Sequence, residues 1–363
     1  MRIACIVGAR PNFVKIAPIL AACGRTPEVR ARLIHTGQHY DLEMSEAFFR
    51  NLEIPAPHVN LGVRSGSAVA QLAGIMQALE PALLREQPHM VLVVGDVNST
   101  LAGALAAVKL GLPVAHVEAG LRSFDRTMPE EINRVLTDAV CDPLFTTEPS
   151  ANENLAREGI PADRVHFVGN VMIDTLIRYR ERAERSPILE TLGLRPGGYA
   201  ALTLHRPSNV DDPRVLGRLL GALARIQAEV PVVFPVHPRT RRGLEAVNGR
   251  QPALPGLRLT DPLPYLDFVC LMANARCVLT DSGGIQEETT ALGVPCLTLR
   301  TTTERPVTVT QGTNRIVGAD PEKIQAAWEL VRQDRWPAGR LPDLWDGKAA
   351  ERIVKILLQR NTG

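Results

Sequence analysis

Apolar runs of strand length alternate with helix-length amphipathic stretches along most of the chain. In the first half Arg2–Val7 is followed by Val14–Cys23, Ala31–Thr36 by Glu43–Leu52, and Met90–Val94 by Leu101–Leu110, before a fourth run at Val114–Val117. Strands separated by helices of this length imply βαβ units and a mostly parallel sheet with helices on both faces. The pattern closes near Phe167–Gly169, crosses the polar, arginine-rich segment Tyr179–Leu194, and restarts after Pro196-Gly197-Gly198. Tyr199–Leu204, Pro231–Val236, Leu257–Thr260, Ala275–Thr280 and Pro295–Leu299 read as strands, with helices over Val215–Ala228 and Ile285–Leu292. The periodicity predicts an α/β protein of two doubly wound Rossmann-like domains facing a central cleft. The first domain is placed at 1–170, a hinge at 171–197, the second domain at 198–345, and a last helix within 346–363.

Composition narrows this picture without redirecting it. A chain of 363 residues is long enough for two domains, each with its own core. A hydrophobic content of 45% and a charged content of 22% are those of a soluble globular protein. The net charge of +2 supplies no basic field for nucleic acid or an anionic membrane. No apolar stretch reaches the roughly 18 uncharged residues of a membrane span. Leu20-Ala21-Ala22-Cys23 has the look of a lipoprotein cleavage site, but Arg10, Pro11, Asn12 and Lys15 interrupt the apolar region that a signal peptide needs. The six cysteines form no CxxC pair and fall mainly in apolar segments, which predicts buried free thiols in a reducing cytoplasm.

Candidate chemistry sits where strands end. In parallel α/β sheets the functional crevice lies outside the carboxyl ends of the strands. The stretch His116–Arg134 follows such a strand and concentrates acids and arginines in one connection. Glu118 sits between Val117 and the pair Ala119-Gly120 with no local cap to make, whereas Glu130 and Glu131 could serve as first-turn acids of the following helix. Asp96, in Gly95-Asp96-Val97-Asn98-Ser99-Thr100, ends the preceding strand; alone it could be a turn residue, but sequential parallel strands are often neighbours, so Asp96 and Glu118 can share a pocket. With those two in view, Glu130 joins them as a candidate acid/base and Glu131 stays structural. The first strand leads into Gly8-Ala9-Arg10-Pro11-Asn12-Phe13-Val14-Lys15, a helix start with two cations that suits a phosphate. It is neither GxGxxG nor a Walker motif, so a nicotinamide cofactor is poorly supported.

The second half repeats the logic with opposite charge. His205 and Arg206 follow a strand; His237 ends another and reads as structural. Thr280-Asp281-Ser282-Gly283-Gly284-Ile285-Gln286-Glu287-Glu288 is strand, Ser-Gly-Gly and helix, which lets backbone N–H groups approach an anion. Glu288 lies in reach of a sugar hydroxyl next to that phosphate, and Arg305 supplies another cation. Two domains offering cations imply a diphosphate, and carboxylates opposite imply acid/base work on its cargo. A nucleotide-sugar meets both requirements.

GARPNFVK, GDVNST, HVEAGLRS, MPEEINR, TLHRPSN, DSGGIQEE and TTERP occur in that order. With these motifs the chain resembles the bacterial non-hydrolysing UDP-N-acetylglucosamine 2-epimerases along nearly its whole length. The resemblance implies the glycosyltransferase-B fold, a homodimer, a last helix packed on the first domain, and interconversion of UDP-GlcNAc and UDP-ManNAc without added cofactor or metal, for a cell-surface polysaccharide. It places Arg10, Lys15, His205, Ser282, Gly283, Gly284, Glu288 and Arg305 around UDP, Phe268 beside the uracil, and Asp96, Glu118 and Glu130 as acid/base groups. Leu263 stands where some relatives carry glutamine. Some relatives bind a second UDP-GlcNAc as activator through QHxQ; here the run is Gln38-His39-Tyr40-Asp41, without the second glutamine. GQHYDLEMSEAFF and LRSFDRTMPEEINR also resemble a sister branch that epimerises UDP-2,3-diacetamido-2,3-dideoxyglucuronic acid, while TTTERPVTVTQGTN is closer to the UDP-GlcNAc branch.

The C2 proton of such a sugar is not acidified by a carbonyl, so inversion without a nicotinamide points to elimination of UDP across C1–C2 and re-addition. That route needs at least two carboxyl groups about the ring, which Asp96, Glu118 and Glu130 provide. A glycosyltransferase of the same fold and a catalytically idle nucleotide-sugar sensor are the competing readings; this set of acids weighs against both.

Overall fold

The computed structural model describes residues 1–37, 49–63, 66–247 and 255–361. The chain divides into two compact units, Met1–Arg178 together with Asp343–Gly363, and Tyr179–Pro342. Among the described residues no helix is long and apolar enough to cross a membrane.

The first unit is built on strands β1 (Arg2–Val7), β2 (Arg30–His35), β3 (Val59–Asn60), β4 (Met90–Val94), β5 (Val114–Ala119), β6 (Leu144–Thr146) and β7 (Val165–Phe167). Their spatial order is β3-β2-β1-β4-β5-β6-β7, and all six neighbouring pairs are parallel. β4, MVLVV, is buried along its whole length, as a strand covered by helices on both faces must be. The hydrophobic pattern marks no element between Leu52 and Met90, yet a helix fills Ala68–Glu86 there. Only Ile75, Leu79, Ala82 and Leu83 of it are buried, and Pro81 interrupts it, so its apolar face is narrow. β6 and β7 have three residues each, too few for a period to show.

Two backbone details position the site. The helix Arg10–Gly24 runs through Pro18, which has no N–H to offer the Val14 carbonyl four residues back. Thr175 supplies the missing donor: its Oγ1 lies 2.7 Å from that oxygen. The helix therefore runs on unbroken to Gly24, with Lys15 buried in its second turn. The second detail is a register shift between β5 and β6 at Val117/Ala119, which leaves Glu118 as the bulged residue, with φ of 74°. A bulge re-aims one side chain out of the alternation, and a left-handed φ in a non-glycine residue is a strain that a site can hold.

The segment from Asp343 completes this unit. Trp345 is fully buried and donates from Nε1 to the Thr147 carbonyl at 3.0 Å. Asp174, on the helix Val171–Glu184, accepts the Ala349 and Ala350 N–H groups at 3.2 and 2.7 Å, capping the helix Ala349–Asn361 from a distant part of the chain. Burial pushes the Asp174 carboxyl up to about 6.

The second unit has strands β8 (Ala200–Thr203), β9 (Val232–Pro235), β10 (Leu257–Thr260), β11 (Cys277–Thr280), β12 (Cys296–Thr298) and β13 (Asn314–Ile316), in the order β10-β9-β8-β11-β12-β13. It repeats the doubly wound arrangement of the first. Its core packs Leu219, Leu223 and Ile226 of the helix Pro213–Gln227 with Phe234 of β9 and Trp328. The region read as a hinge is largely helical: Val171–Glu184 runs across the boundary of the units, and Ile188–Thr191 follows. All six cysteines are free and buried.

Candidate active site

In the first unit the candidate acids are held by cations. Lys15 Nζ lies 2.5 Å from Glu118 Oε2, and both side chains are almost wholly buried. The lysine reaches it by passing Gly95, where a Cβ would lie 2.8 Å from Nζ and the backbone holds a φ of 70°, so a larger residue would be strained there and would displace the ammonium. Asn12 braces the same turn, accepting from the Gly8 and Ala9 N–H groups and donating to the Val94 carbonyl at 2.9 Å. Arg10 opens the helix, half-buried.

Asp96 stands one residue after Gly95. Its Oδ2 is 2.5 Å from the Arg134 guanidinium, and its side chain keeps 20% of its surface exposed. Arg134 also contacts Glu131 Oε2 at 2.9 Å. Glu131, read from the sequence as a helix-start acid, is structural by another route: it turns back onto the preceding loop and accepts from the N–H groups of Ser123 and Phe124 at 2.8 and 3.0 Å. Burial alone would raise its carboxyl, but the Ser123 N–H and the Arg134 guanidinium outweigh burial and hold it below the usual carboxylate range. The loop it holds carries Phe124, which has a φ of 59° and is 71% exposed. Glu130, second residue of the helix Pro129–Val140, is half-buried at its start.

Beneath these ends lies a polar set that the sequence did not single out. His116, wholly buried on β5, has Nδ1 2.6 Å from Asp138 Oδ1 and Nε2 2.8 Å from the Gly95 carbonyl. Asp138 Oδ2 accepts the Gly120 N–H at 3.0 Å and pairs with Arg122 at 2.7 Å; Arg122 in turn grips both oxygens of Glu158 at 2.7 and 2.6 Å. Burial raises the Asp138 carboxyl, but the His116 and Arg122 charges bring it below the ordinary range.

In the second unit Asp281, wholly buried just past β11, collects the N–H groups of His205 and Arg206, the Asn209 amide, and His205 Nδ1 at 2.8 Å. Burial pushes this carboxyl up, and the His205 ring and those donors pull it below its usual value. The His205 ring is thereby fixed at Nδ1 while 41% of its side chain stays exposed. His237, exposed, has its ring centroid 6.4 Å from that of His205. Gly283 opens the helix Gly283–Leu292, whose first turn holds no acid; Ser282, the residue before it, makes no side-chain cap bond. A Cβ on Gly283 would come within 2.4 Å of an Arg305 nitrogen, so the arginine rests against the helix start only because position 283 has none. Arg305 is paired with Glu287 at 2.9 Å and Glu304 at 3.4 Å, both fully buried, and Glu304 also binds Arg300 at 2.8 Å. Gly284 is half-buried beside them.

Glu288 receives the Tyr265 hydroxyl at 2.9 Å, and burial pushes its carboxyl up to about 7. Tyr265 begins the helix Tyr265–Ala273, which carries Phe268, half-buried; Leu263, also half-buried, precedes that helix. Gln38 and His39 lie outside the described residues. Among the described residues no group of three or more His, Cys, Asp or Glu side chains is arranged to hold a metal ion. Sequence reasoning missed Arg134, His116 with Asp138, and Tyr265. A signal existed for the first, an arginine three residues after an acid in MPEEINR; Tyr265 left none.

The family described as UDP-N-acetylglucosamine 2-epimerase matches residues 21–358. The chain is 41% identical over 368 residues to the UDP-N-acetylglucosamine 2-epimerase of Methanocaldococcus jannaschii, covering 98% of this chain and 99% of that one. It is 44% identical over 362 residues to the UDP-2,3-diacetamido-2,3-dideoxy-D-glucuronate 2-epimerase of Pseudomonas aeruginosa, at 98% and 99% coverage. A crystal structure of the M. jannaschii UDP-GlcNAc 2-epimerase in complex with UDP-GlcNAc and UDP superposes with a TM-score of 0.92 at 40% identity, covering 99% of this chain and all of that one.

Proposed function

Because the chain belongs to the UDP-N-acetylglucosamine 2-epimerase family, and is thus an isomerase, we propose that its strand-end acids invert C2 of UDP-GlcNAc by eliminating and re-adding UDP. The product of that inversion is UDP-ManNAc. The observation that carries the site assignment is the pair of carboxylates at the ends of adjacent strands β4 and β5, Asp96 on Arg134 and Glu118 on Lys15.

The bond changes balance without an oxidant. A carboxylate takes the C2 proton, the C1–O bond breaks, and its electron pair leaves on the β-phosphate oxygen of UDP. A C1=C2 double bond remains in the glycal. An acid on the opposite face returns a proton to C2, and the UDP oxygen re-forms the bond to C1. Asp96, Glu118 and Glu130 are the groups for base and acid, and general acid/base positioning of this kind contributes about 10²–10⁴-fold. Departing UDP carries negative charge, which Arg10, Lys15, His205, Arg305 and the N–H groups after Ser282 are suited to receive. Glu288 is suited to accept ribose hydroxyls, and Phe268 to lie against the uracil.

Incubation with UDP-GlcNAc in D2O, followed by NMR, tests this reading. Deuterium should enter C2 as UDP-ManNAc appears; epimer formed without C2 exchange would sink the elimination route. The 44% identity to the diacetamido-glucuronate epimerase favours one second reading, and the same assay with that UDP-sugar decides it: the true substrate turns over with the higher kcat/KM. We also propose a cytoplasmic homodimer serving surface polysaccharide synthesis. Val69 and Leu84, exposed at 78% and 60% on the helix Ala68–Glu86, support the dimer, and light scattering at working concentration checks it.

A further inference from the structure

The His116 set has no place in the chemistry above, because His116 is fully buried and cannot meet a substrate. Its bonds nevertheless converge on the acids. A carbonyl oxygen only accepts, so Nε2 carries the hydrogen that reaches Gly95, the residue before Asp96. Asp138, already receiving Gly120 N–H and Arg122, accepts from Nδ1. Gly120 lies two residues after Glu118, and Asp138 lies on the helix that begins beside Glu130. The His116 ring and the Arg122 guanidinium face two carboxylates, Asp138 and Glu158, so the polar set closes on itself. An apolar side chain at 116 would fill the same volume without the desolvation cost of a buried polar pair, but it could not hold the Gly95 carbonyl.

We propose that His116 is a positioning residue that, through Gly95 on one side and Asp138 on the other, locks together the three backbone segments carrying Asp96, Glu118 and Glu130. It never touches the sugar. It sets the relative placement of the acids, where an error of about 1 Å can cost on the order of 10²-fold in rate. The proposal rests on the reading of Asp96 and Glu118 as acid/base groups.

The test compares full-length His116→Phe, His116→Gln and Asp138→Asn with the native enzyme, measuring kcat per UDP-binding site, KM, UDP affinity and the pH profile of kcat. Positioning predicts a fall of about 10²-fold in kcat for His116→Phe with UDP affinity retained, and partial recovery in His116→Gln, whose amide can still donate to Gly95. In His116→Phe/Asp96→Asn the two losses combine to less than their product, because one acts through the other. A native kcat per UDP-binding site in His116→Phe, or losses that multiply, overturns the proposal. Should His116→Phe not fold, His116→Gln and Asp138→Asn carry the test, and native kcat in both overturns it. A fully active Asp96→Asn sinks the acid/base reading and this proposal with it; an inactive Asp96→Asn beside a fully active His116→Phe sinks the positioning alone.

Discussion

Asp96 and Asp281 occupy matching places in the two units, each just beyond the strand next to the unit's first, β4 beside β1 and β11 beside β8. They have been put to opposite uses. Asp96 pairs with the Arg134 guanidinium and leaves a fifth of its side chain exposed, whereas Asp281 is sealed and gathers donors from His205, Arg206 and Asn209. The frame decides where a carboxylate stands; burial decides how much of it stays open to solvent. Glu288 is a third case, buried with the Tyr265 hydroxyl as a neutral donor, and there burial lifts the carboxyl to about 7.

The sharpest way to break this comparison is Asp96→Asn. Turnover should fall about 10³-fold while UDP affinity and melting temperature stay native, read by NMR kinetics, titration and calorimetry. Asp281→Asn should do the reverse in kind: a loss of about 3 kcal/mol in stability with weakened UDP binding, since a buried anion is removed from its donors. The sign with pH follows from its depressed carboxyl. Asp281 stabilises the fold above the ordinary aspartate value of 3.8 and loses that effect as pH falls through its lower folded value, so the gap between variant and native should narrow in acid. Glu288 has the opposite sign. Its folded value near 7 lies above the ordinary 4.5, so its contribution is complete below 4.5 and is lost as pH rises to 7. Glu288→Gln should therefore melt higher than native at pH 8 and nearly together with it at pH 4. Native UDP affinity should weaken below pH 7 as the carboxyl takes up its proton. The smallest effect belongs to a site with no charge: Thr175→Val, which strips the donor from the Val14 carbonyl, should cost about 1 kcal/mol by denaturant titration and leave kcat intact.

Much of this was legible in the chain itself. Strand ends announced themselves at Gly95-Asp96, Glu118 and Asp281-Ser282, because a buried β-branched run followed by charge or glycine has few other readings. The alternation also exposed both sheets, though it passed over the helix Ala68–Glu86 and the short strands β3, β6, β7 and β13. Partnership was not legible. His116 and Asp138 are 22 residues apart, His205 and Asp281 are 76 apart, and a periodicity carries no information about which polar groups will meet. Glu131 shows the same limit on a smaller scale: its position suggested service to the helix it begins, while its hydrogen bonds serve the loop behind it.

The segment from Asp343 has a consequence for biosynthesis. It supplies the buried Trp345 and the helix capped by Asp174, yet the ribosome makes it only after the whole of Tyr179–Pro342 has been synthesised. The unit that carries Asp96, Glu118 and Glu130 therefore waits, incomplete, until the last stretch of the chain is made. During that interval the Thr147 carbonyl lacks its indole and the Asp174 carboxylate has no helix to cap, so the first unit to begin synthesis is the last to be completed.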